Sequence, residues 1–286
     1  MDTFLPPTPP PTATARRIDF TQTTPPLPKY RHLFAAIIDN VFTEDECAEL
    51  IRLAESSTVT PATPTPTWDR AMVNIGNGEQ ILAPQTRNCS RIILDAPDLA
   101  TKLLDRLLPF FQRDDFRLDV LDKQAWRVTL QTRKSYKLTR LNERLRFLRY
   151  EGGEFFRPHW DGWYTTPDRR ERSFYTIHLY LNGEGEQDPV EVRRARDGKM
   201  RSFGVGKAGS LLGGATSFVG RLEVGEGDEH QTVRVCPRVG SVLVFQQNDL
   251  LHAGEPVYRG VKYTMRTDVM YEEALEEEEK EEEGLC

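Results

Sequence analysis

The chain reads as an α+β protein, mainly β: a double-stranded β-helix, or jelly roll, with flanking N-terminal helices. Three observations predict this. Helical periodicity is confined to the stretch before Phe111, short runs of β-branched and aromatic residues between Gly, Asp and Pro dominate from Leu145 onward, and no repeat of solenoid type is present. Helices first and strands second suits two sheets built from Greek keys that can hold a site between them. At 286 residues the chain exceeds the common single-domain size, yet β barrels and sandwiches approach this length as one unit.

The first element is a buried strand within His32 to Asn40, where the apolar run Leu33 to Ile38 ends in Asp39-Asn40. A helix from about Thr43 to Glu55 follows, because Thr43-Glu44-Asp45-Glu46 is a capping box ahead of Cys47, Leu50, Ile51 and Ala54 on one face. The Pro/Thr stretch Thr58 to Thr67 is a loop, and Leu99, Leu103, Leu107 and Phe110 mark a second helix over Leu99 to Phe111. Strands are expected at about Leu145 to Tyr150, Glu154 to His159, Ser173 to Leu181, Ala215 to Val219, Thr232 to Val235, Ser241 to Gln246 and Lys262 to Met270. Glu184 to Ser210, rich in Gly, Arg, Asp and Lys, reads as a long rim loop. Residues 1–30, dominated by Pro and Thr, read as a disordered tail outside the fold; 31–271 form the domain, and 272–286 are an acidic tail.

Hydrophobic content of 38% can fill a sizeable core, and no apolar run reaches the roughly 18 residues of a membrane helix. No membrane association is expected. Cys47, Cys89, Cys236 and Cys286 contain no CxxC pair, which fits free thiols in a reducing compartment, cytoplasmic or nuclear, rather than a disulfide framework. The opening lacks a secretory h-region. Net charge is −6, but the run Glu272 to Glu283 holds nine Glu and one Lys, so the body is close to neutral. Arg127 to Arg149 is rich in Lys and Arg, with Trp126, Tyr136 and Phe147 interleaved. A solvated, partly β face explains that stretch as well as a nucleic-acid surface does, and nucleic acid is not an expected partner.

The chemistry concentrates at His159-Trp160-Asp161, just after a strand, and at His252, after another. Two imidazoles and one carboxylate on one face of an octahedral ion leave open positions for a bidentate keto acid and dioxygen. An isolated HxD pair is weak, since such pairs are common on surfaces. Its context is stronger. Arg149 to Phe156 is a strand, a glycine turn and a second strand leading into His159, and Gly240 to Phe245 is an apolar strand leading toward His252.

These segments, with Asn142 to Asp161, Thr176 to Asn182, Gly213 to Phe218 and Gly240 to Lys262 as the most specific parts, resemble the prolyl 4-hydroxylase-like catalytic domain of the 2-oxoglutarate and Fe(II)-dependent dioxygenase superfamily. The resemblance covers roughly residues 33 to 271. It implies that His159, Asp161 and His252 are the iron ligands. It implies further that Lys262, ten residues past His252, pairs with the far carboxylate of 2-oxoglutarate and that Tyr150 touches the same cosubstrate. Ala215 stands where the group usually has Glu, and Phe156 where Tyr is frequent, which puts a prolyl substrate in question.

The basic anchor has two candidates. Lys262 and Arg266 alternate onto the same side of one strand, and a guanidinium makes a carboxylate fork that an ammonium cannot. Loop length favours Lys262, which should enter nearer the metal, with Arg266 deeper in the sheet. Thr176, His178 and Tyr180 share the more polar face of their strand, so Thr176 and Tyr180 are candidates for the cosubstrate pocket and His178 for a hydrogen-bonded rim position. Trp160, Trp163 and Tyr164 serve either substrate or packing.

The expected activity is hydroxylation coupled to oxidative decarboxylation of 2-oxoglutarate, with Fe(II) and, as an optional reductant, ascorbate. Substrates would be peptidyl or small molecules. The alternatives are a small-molecule oxygenase of the same superfamily and a non-catalytic binding protein on this fold. A cupin-type metal enzyme is a third, but it gives the Lys262 and Arg266 pair no role.

Overall fold

The computed structural model describes residues 4–76, 79–122, 134–198, 210–220 and 231–274. The first thirty residues are not a free tail, which corrects the reading of them as a spacer. β1 (Thr14–Arg17) pairs antiparallel with β2 (Ala35–Asp39), and Leu5, Ile18, Phe20, Leu27 and Tyr30 are buried. The prolines flank β1 without entering it, so every N–H of the strand remains available, and β1 takes an edge position where irregular neighbours cost little.

α1 (Glu44–Ser56) starts one residue after the Thr43 cap, with the reciprocal Thr43 and Glu46 bonds in place, and buries Cys47, Leu50 and Ala54. Five short strands then come where the sequence showed only a loop and featureless chain: β3 (Asp69–Arg70), β4 (Val73–Gly76), β5 (Glu79–Ile81), β6 (Arg87–Asn88) and β7 (Ser90–Asp95). α2 (Pro97–Phe111) opens on a proline, whose fixed φ suits a first helical turn. It turns Leu103, Leu107, Phe110 and Arg106 inward. Arg106 bonds the carbonyls of Pro6 and Val41 at 2.6 and 3.0 Å and Glu46 at 2.8 Å, which ties the N-terminal segment to α1 and α2.

β8 (Val120–Leu121) and β9 (Ser135–Leu141) lead to β10 (Arg144–Glu151), β11 (Phe155–His159) and β12 (Glu171–Tyr180). The segment read as one long rim loop contains α3 (Pro189–Arg196), because Asp188 caps the Val190 N–H at 2.8 Å and Pro189 supplies the first helical φ. Residues 199–209 of that segment lie outside the described residues, as do residues 127–133 of the basic stretch and most of the acidic tail. The second half adds β13 (Leu212–Gly213), β14 (Thr216–Val219), β15 (Thr232–Val235), β16 (Val242–Gln246), β17 (His252–Gly254), β18 (Val257–Arg259) and β19 (Val261–Ala274). β19 runs past the domain end expected at residue 271.

The protein is mainly β, with antiparallel sheets. The larger sheet has the order β1-β2-β16-β12-β19-β10-β7-β3, with β9 joining β19 and β8 joining β9. The smaller has the order β15-β14-β17-β11-β6. Residues alternate along β12 as their chemistry dictates. Tyr175, Ile177 and Leu179 join the apolar core beneath α1 and α2, while Tyr180 on the other face meets Thr216 of the smaller sheet at 2.8 Å. Phe218 and Phe245 close the gap between the sheets, ring centroids 5.8 Å apart. No described helix is long and apolar enough to cross a membrane.

Candidate metal centre

His159 ends β11 and His252 begins β17, and the ladder sets the two directly opposite each other, rings 4.3 Å apart. Asp161 follows two residues after β11 and turns into the space between the sheets. The ligand atoms of these three side chains lie within 4.8 Å of one another, the one such cluster among the described residues. This is the trio the sequence singled out.

Its tautomers are determined by backbone. His159 Nδ1 lies 2.8 Å from the Arg157 carbonyl and His252 Nδ1 3.0 Å from that of Leu250; a carbonyl only accepts, so each Nδ1 carries the proton. Both Nε2 lone pairs therefore face Asp161, His159 toward Oδ1 and His252 toward Oδ2, each at 3.8 Å. Burial, followed by the neighbouring His252, pushes the His159 pKa down to about 3, and burial also lowers that of His252. Both rings are neutral at physiological pH, as metal ligation requires. Burial opposes ionisation of Asp161, but the Arg266 guanidinium and the Thr176 hydroxyl favour the carboxylate, and its pKa lies well below the usual range.

The carboxylate is oriented from the larger sheet. Thr176 donates its hydroxyl to Asp161 Oδ2 at 2.7 Å, and Arg266 Nη2 approaches the same oxygen at 3.0 Å. Among the described residues nothing donates to Oδ1. Two neutral imidazole nitrogens and one unshared carboxylate oxygen fit an iron(II) ion. Phe156 stacks on His159 at 3.5 Å between centroids, and Phe245 packs edge-on against His252 at 4.7 Å, so the trio has an apolar backing. The His159 side chain remains 19% exposed and that of His252 only 7%, which places the opening on the His159 side. Trp160, Trp163 and Tyr164 are exposed on that segment, with Arg172 over the Trp163 ring at 3.9 Å.

The two candidate cations are placed in the reverse of the expected order. Arg266 lies at the metal ligands, opposite His178, whereas Lys262 lies opposite Tyr150 at the start of β19. The reason is the excursion through β17 and β18, which carries the chain away from the trio before β19 starts back toward it. Lys262 is 2% exposed, lies 5.3 Å from the Tyr150 ring centre and 5.7 Å from that of Tyr180, and has no ion pair with a described carboxylate. Burial lowers its pKa to about 8. Tyr150 and Tyr180 thus flank the lysine, while Thr176 is engaged with Asp161. His178, between the two cations, is half-buried, and its Nε2 is buried with no described hydrogen-bond partner.

Several contributors were not singled out in the sequence. Asp268 accepts from Gln247 at 2.9 Å and pairs with Arg266 and Arg146, each at 3.3 Å. The alternation along β19 placed Asp268 on this face, but its partner Gln247 comes from the loop after β16 and left no sequence signal.

Residues 145–267 match the family model described as the 2OG-Fe(II) oxygenase superfamily. Both histidines, Asp161, Lys262 and Arg266 fall inside that segment. No curated protein matches the chain. Among solved structures, a viral collagen prolyl hydroxylase from Paramecium Bursaria Chlorella virus-1 is similar at 16% identity and TM-score 0.44, covering 83% of this chain and 96% of that one. A Pseudomonas putida prolyl-4-hydroxylase is similar at 15% identity and TM-score 0.44, covering 90% and 91%. A Trichoplax adhaerens prolyl hydroxylase in complex with a hypoxia inducible factor peptide fragment is similar at 14% identity and TM-score 0.46, covering 82% of each chain.

Proposed function

We propose that the chain is a 2-oxoglutarate-dependent Fe(II) dioxygenase, prolyl 4-hydroxylase-like, that hydroxylates a C–H bond between the two sheets of a jelly roll, with a peptidyl residue as the first target class. The observation that carries this reading is the pairing of a complete donor trio with a buried cation that has no ion-pair partner among the described residues. Lys262 sits on the same sheet face as the residues that orient Asp161, 2% exposed and without a carboxylate partner among the described residues. A buried ammonium left unpaired costs several kcal/mol, and a dicarboxylic keto acid that reaches both the metal and the lysine would neutralise it.

Bound together, Fe(II) and 2-oxoglutarate would activate dioxygen, the oxidant: 2-oxoglutarate and the substrate C–H bond would each give two electrons, one oxygen atom entering the substrate and the other leaving in succinate as carbon dioxide departs. The chain's own residues do the positioning. His159, Asp161 and His252 would hold the ion, and Thr176 and Arg266 keep Asp161 turned with Oδ1 free. Lys262 would take the far carboxylate, with Tyr150 and Tyr180 as the walls that exclude water from it. Substrate would approach from the partly exposed side of His159, past Trp160 and Trp163.

Anaerobic titration with Fe(II) and 2-oxoglutarate, followed by admission of oxygen with ascorbate present, tests the reading. Succinate should form in proportion to enzyme turnover. Its absence from the loaded protein, or its full retention in His252→Ala, would overturn the assignment.

A further inference from the structure

The face of the larger sheet that looks onto the metal centre carries more positive charge than its own carboxylates balance. Register defines that face. Arg146 lies opposite Arg266, Leu148 opposite both Arg91 and Thr264, and Tyr150 opposite Lys262. Directly opposed residues of an antiparallel ladder project to the same side, so Arg91, Arg146, Lys262 and Arg266 share the face of Thr176 and His178. Against these four cations stand Asp268, on the same face, Asp69, opposite Arg91 on the edge strand β3, and Asp161, reaching in from the smaller sheet.

Asp161 and Asp268 are already committed, and the exposed Asp69 forms no ion pair with Arg91. Arg266 takes Asp161 at 3.0 Å and shares Asp268 with Gln247. Arg146 reaches Asp268 at 3.3 Å and the Arg144 carbonyl at 3.4 Å, both long for a charged donor. Arg91 is 7% exposed, forms no ion pair with a described residue, and makes one described hydrogen bond, to Gln80 at 3.3 Å. Alongside, Arg87 lies 4.6 Å above the Phe156 ring, which itself stacks on His159, and the Arg87 Nε is buried without a hydrogen-bond partner among the described residues. Burial and the mutual repulsion of Arg87, Arg146 and Arg91 lower the pKa of Arg91.

Loading the site does not relieve this surplus, because a metal dication and the 2-oxoglutarate dianion cancel. Arg91 and Arg146 remain undercompensated beside the reacting centre. Guanidinium forks match the paired oxygens of carboxylate and phosphate groups. We propose that the substrate carries an oxyanion, a carboxylate or phosphate group, that docks on Arg91 and Arg146 next to the metal centre. The proposal rests on the oxygenase reading above and adds the chemical class of the substrate.

Sulfate serves as the probe, titrated calorimetrically into the protein loaded with Mn(II) and saturating 2-oxoglutarate. Titration of 2-oxoglutarate itself comes first; if it does not bind, the oxygenase reading fails, and sulfate is then titrated into the metal-free protein, where the arginine cluster still reads. Sulfate should bind saturably, at least about tenfold more weakly in Arg91→Gln and in Arg146→Gln, with the wild-type value kept in Arg52→Gln on the exposed side of α1. Arg91→Lys, which keeps the charge and loses the fork, should fall between, and separates loss of the site from loss of the fold. Competition with acetate and with a blocked Asp-containing tetrapeptide assigns the oxyanion to a small acid or to an acidic segment. Non-saturable sulfate binding, equal binding in wild type and Arg91→Gln, displacement of sulfate by 2-oxoglutarate, or equal displacement by the Asn form of the tetrapeptide would each overturn the proposal.

Discussion

The guanidinium of Arg266 lies 3.0 Å from Oδ2 of Asp161, so a cation from one sheet holds the carboxylate that the other sheet contributes to the donor trio. Thr176, on the strand beside Arg266, donates to the same oxygen. The two contacts leave Oδ1 as the oxygen available for a metal, and they make the metal centre a property of both sheets rather than of the β11–β17 pair alone.

Thr176→Val removes one of those contacts at nearly constant volume. Partners that orient a ligating carboxylate are typically worth 10–100-fold in metal affinity. Mn(II) affinity, measured by calorimetry without oxygen, should fall by about tenfold or more while the circular dichroism spectrum is retained. Unchanged affinity would show that Arg266 alone orients Asp161.

Lys262 gives the site a pH dependence of definite sign. Burial lowers its pKa to about 8, so the ammonium is fully present below pH 7 and lost as pH rises through 8. Affinity for 2-oxoglutarate should therefore be flat below pH 7 and decline by up to tenfold per unit above 8, until bound cosubstrate raises the lysine pKa. Lys262→Ala should weaken 2-oxoglutarate binding at least about tenfold at pH 7 with Mn(II) binding preserved. A flat profile to pH 9.5 would exclude the lysine as anchor.

Arg106 is 1% exposed and bonds Pro6, Val41 and Glu46, so its removal leaves buried carbonyls and a carboxylate without their partner. Arg106→Ala should cost about 3 kcal/mol in urea unfolding. Limited proteolysis of the wild type should spare the chain from Thr14 onward and should release it readily in the variant. Rapid trimming of wild type into β1 would contradict the packing of the N-terminal segment.

Gly240 sits at φ +74°, and a Cβ there would collide with the Phe42 carbonyl, while its own carbonyl accepts from Val41 and Phe42 at 3.0 and 3.1 Å. Neither the backbone angle nor the close approach tolerates a side chain. Gly240→Ala should lower stability by more than about 4 kcal/mol and reduce soluble yield. A loss under 1 kcal/mol would mean that the β2–α1 corner yields.

The sequence by itself determined the donor trio, the capped α1, the strands β10, β11, β12, β14, β15, β16 and β19 within a few residues but not the short β13, β17 and β18, and the face of Thr176, His178 and Tyr180, because each rests on local chemistry or a period of two. It could not determine β3, β6 or β8, which are two residues long and owe their existence to neighbours already in the sheet. Nor could it show that β1 pairs with β2, since proline content argues about a segment's own conformation and not about an edge that will accept it. Only the tertiary structure decided that Arg266 meets Asp161 and that Lys262, at the start of β19, lies farther from it, because the path of β17 and β18 sets where β19 enters. The cluster of Arg91, Arg146 and Arg266 was likewise invisible, as its members come from three strands whose register no single segment encodes.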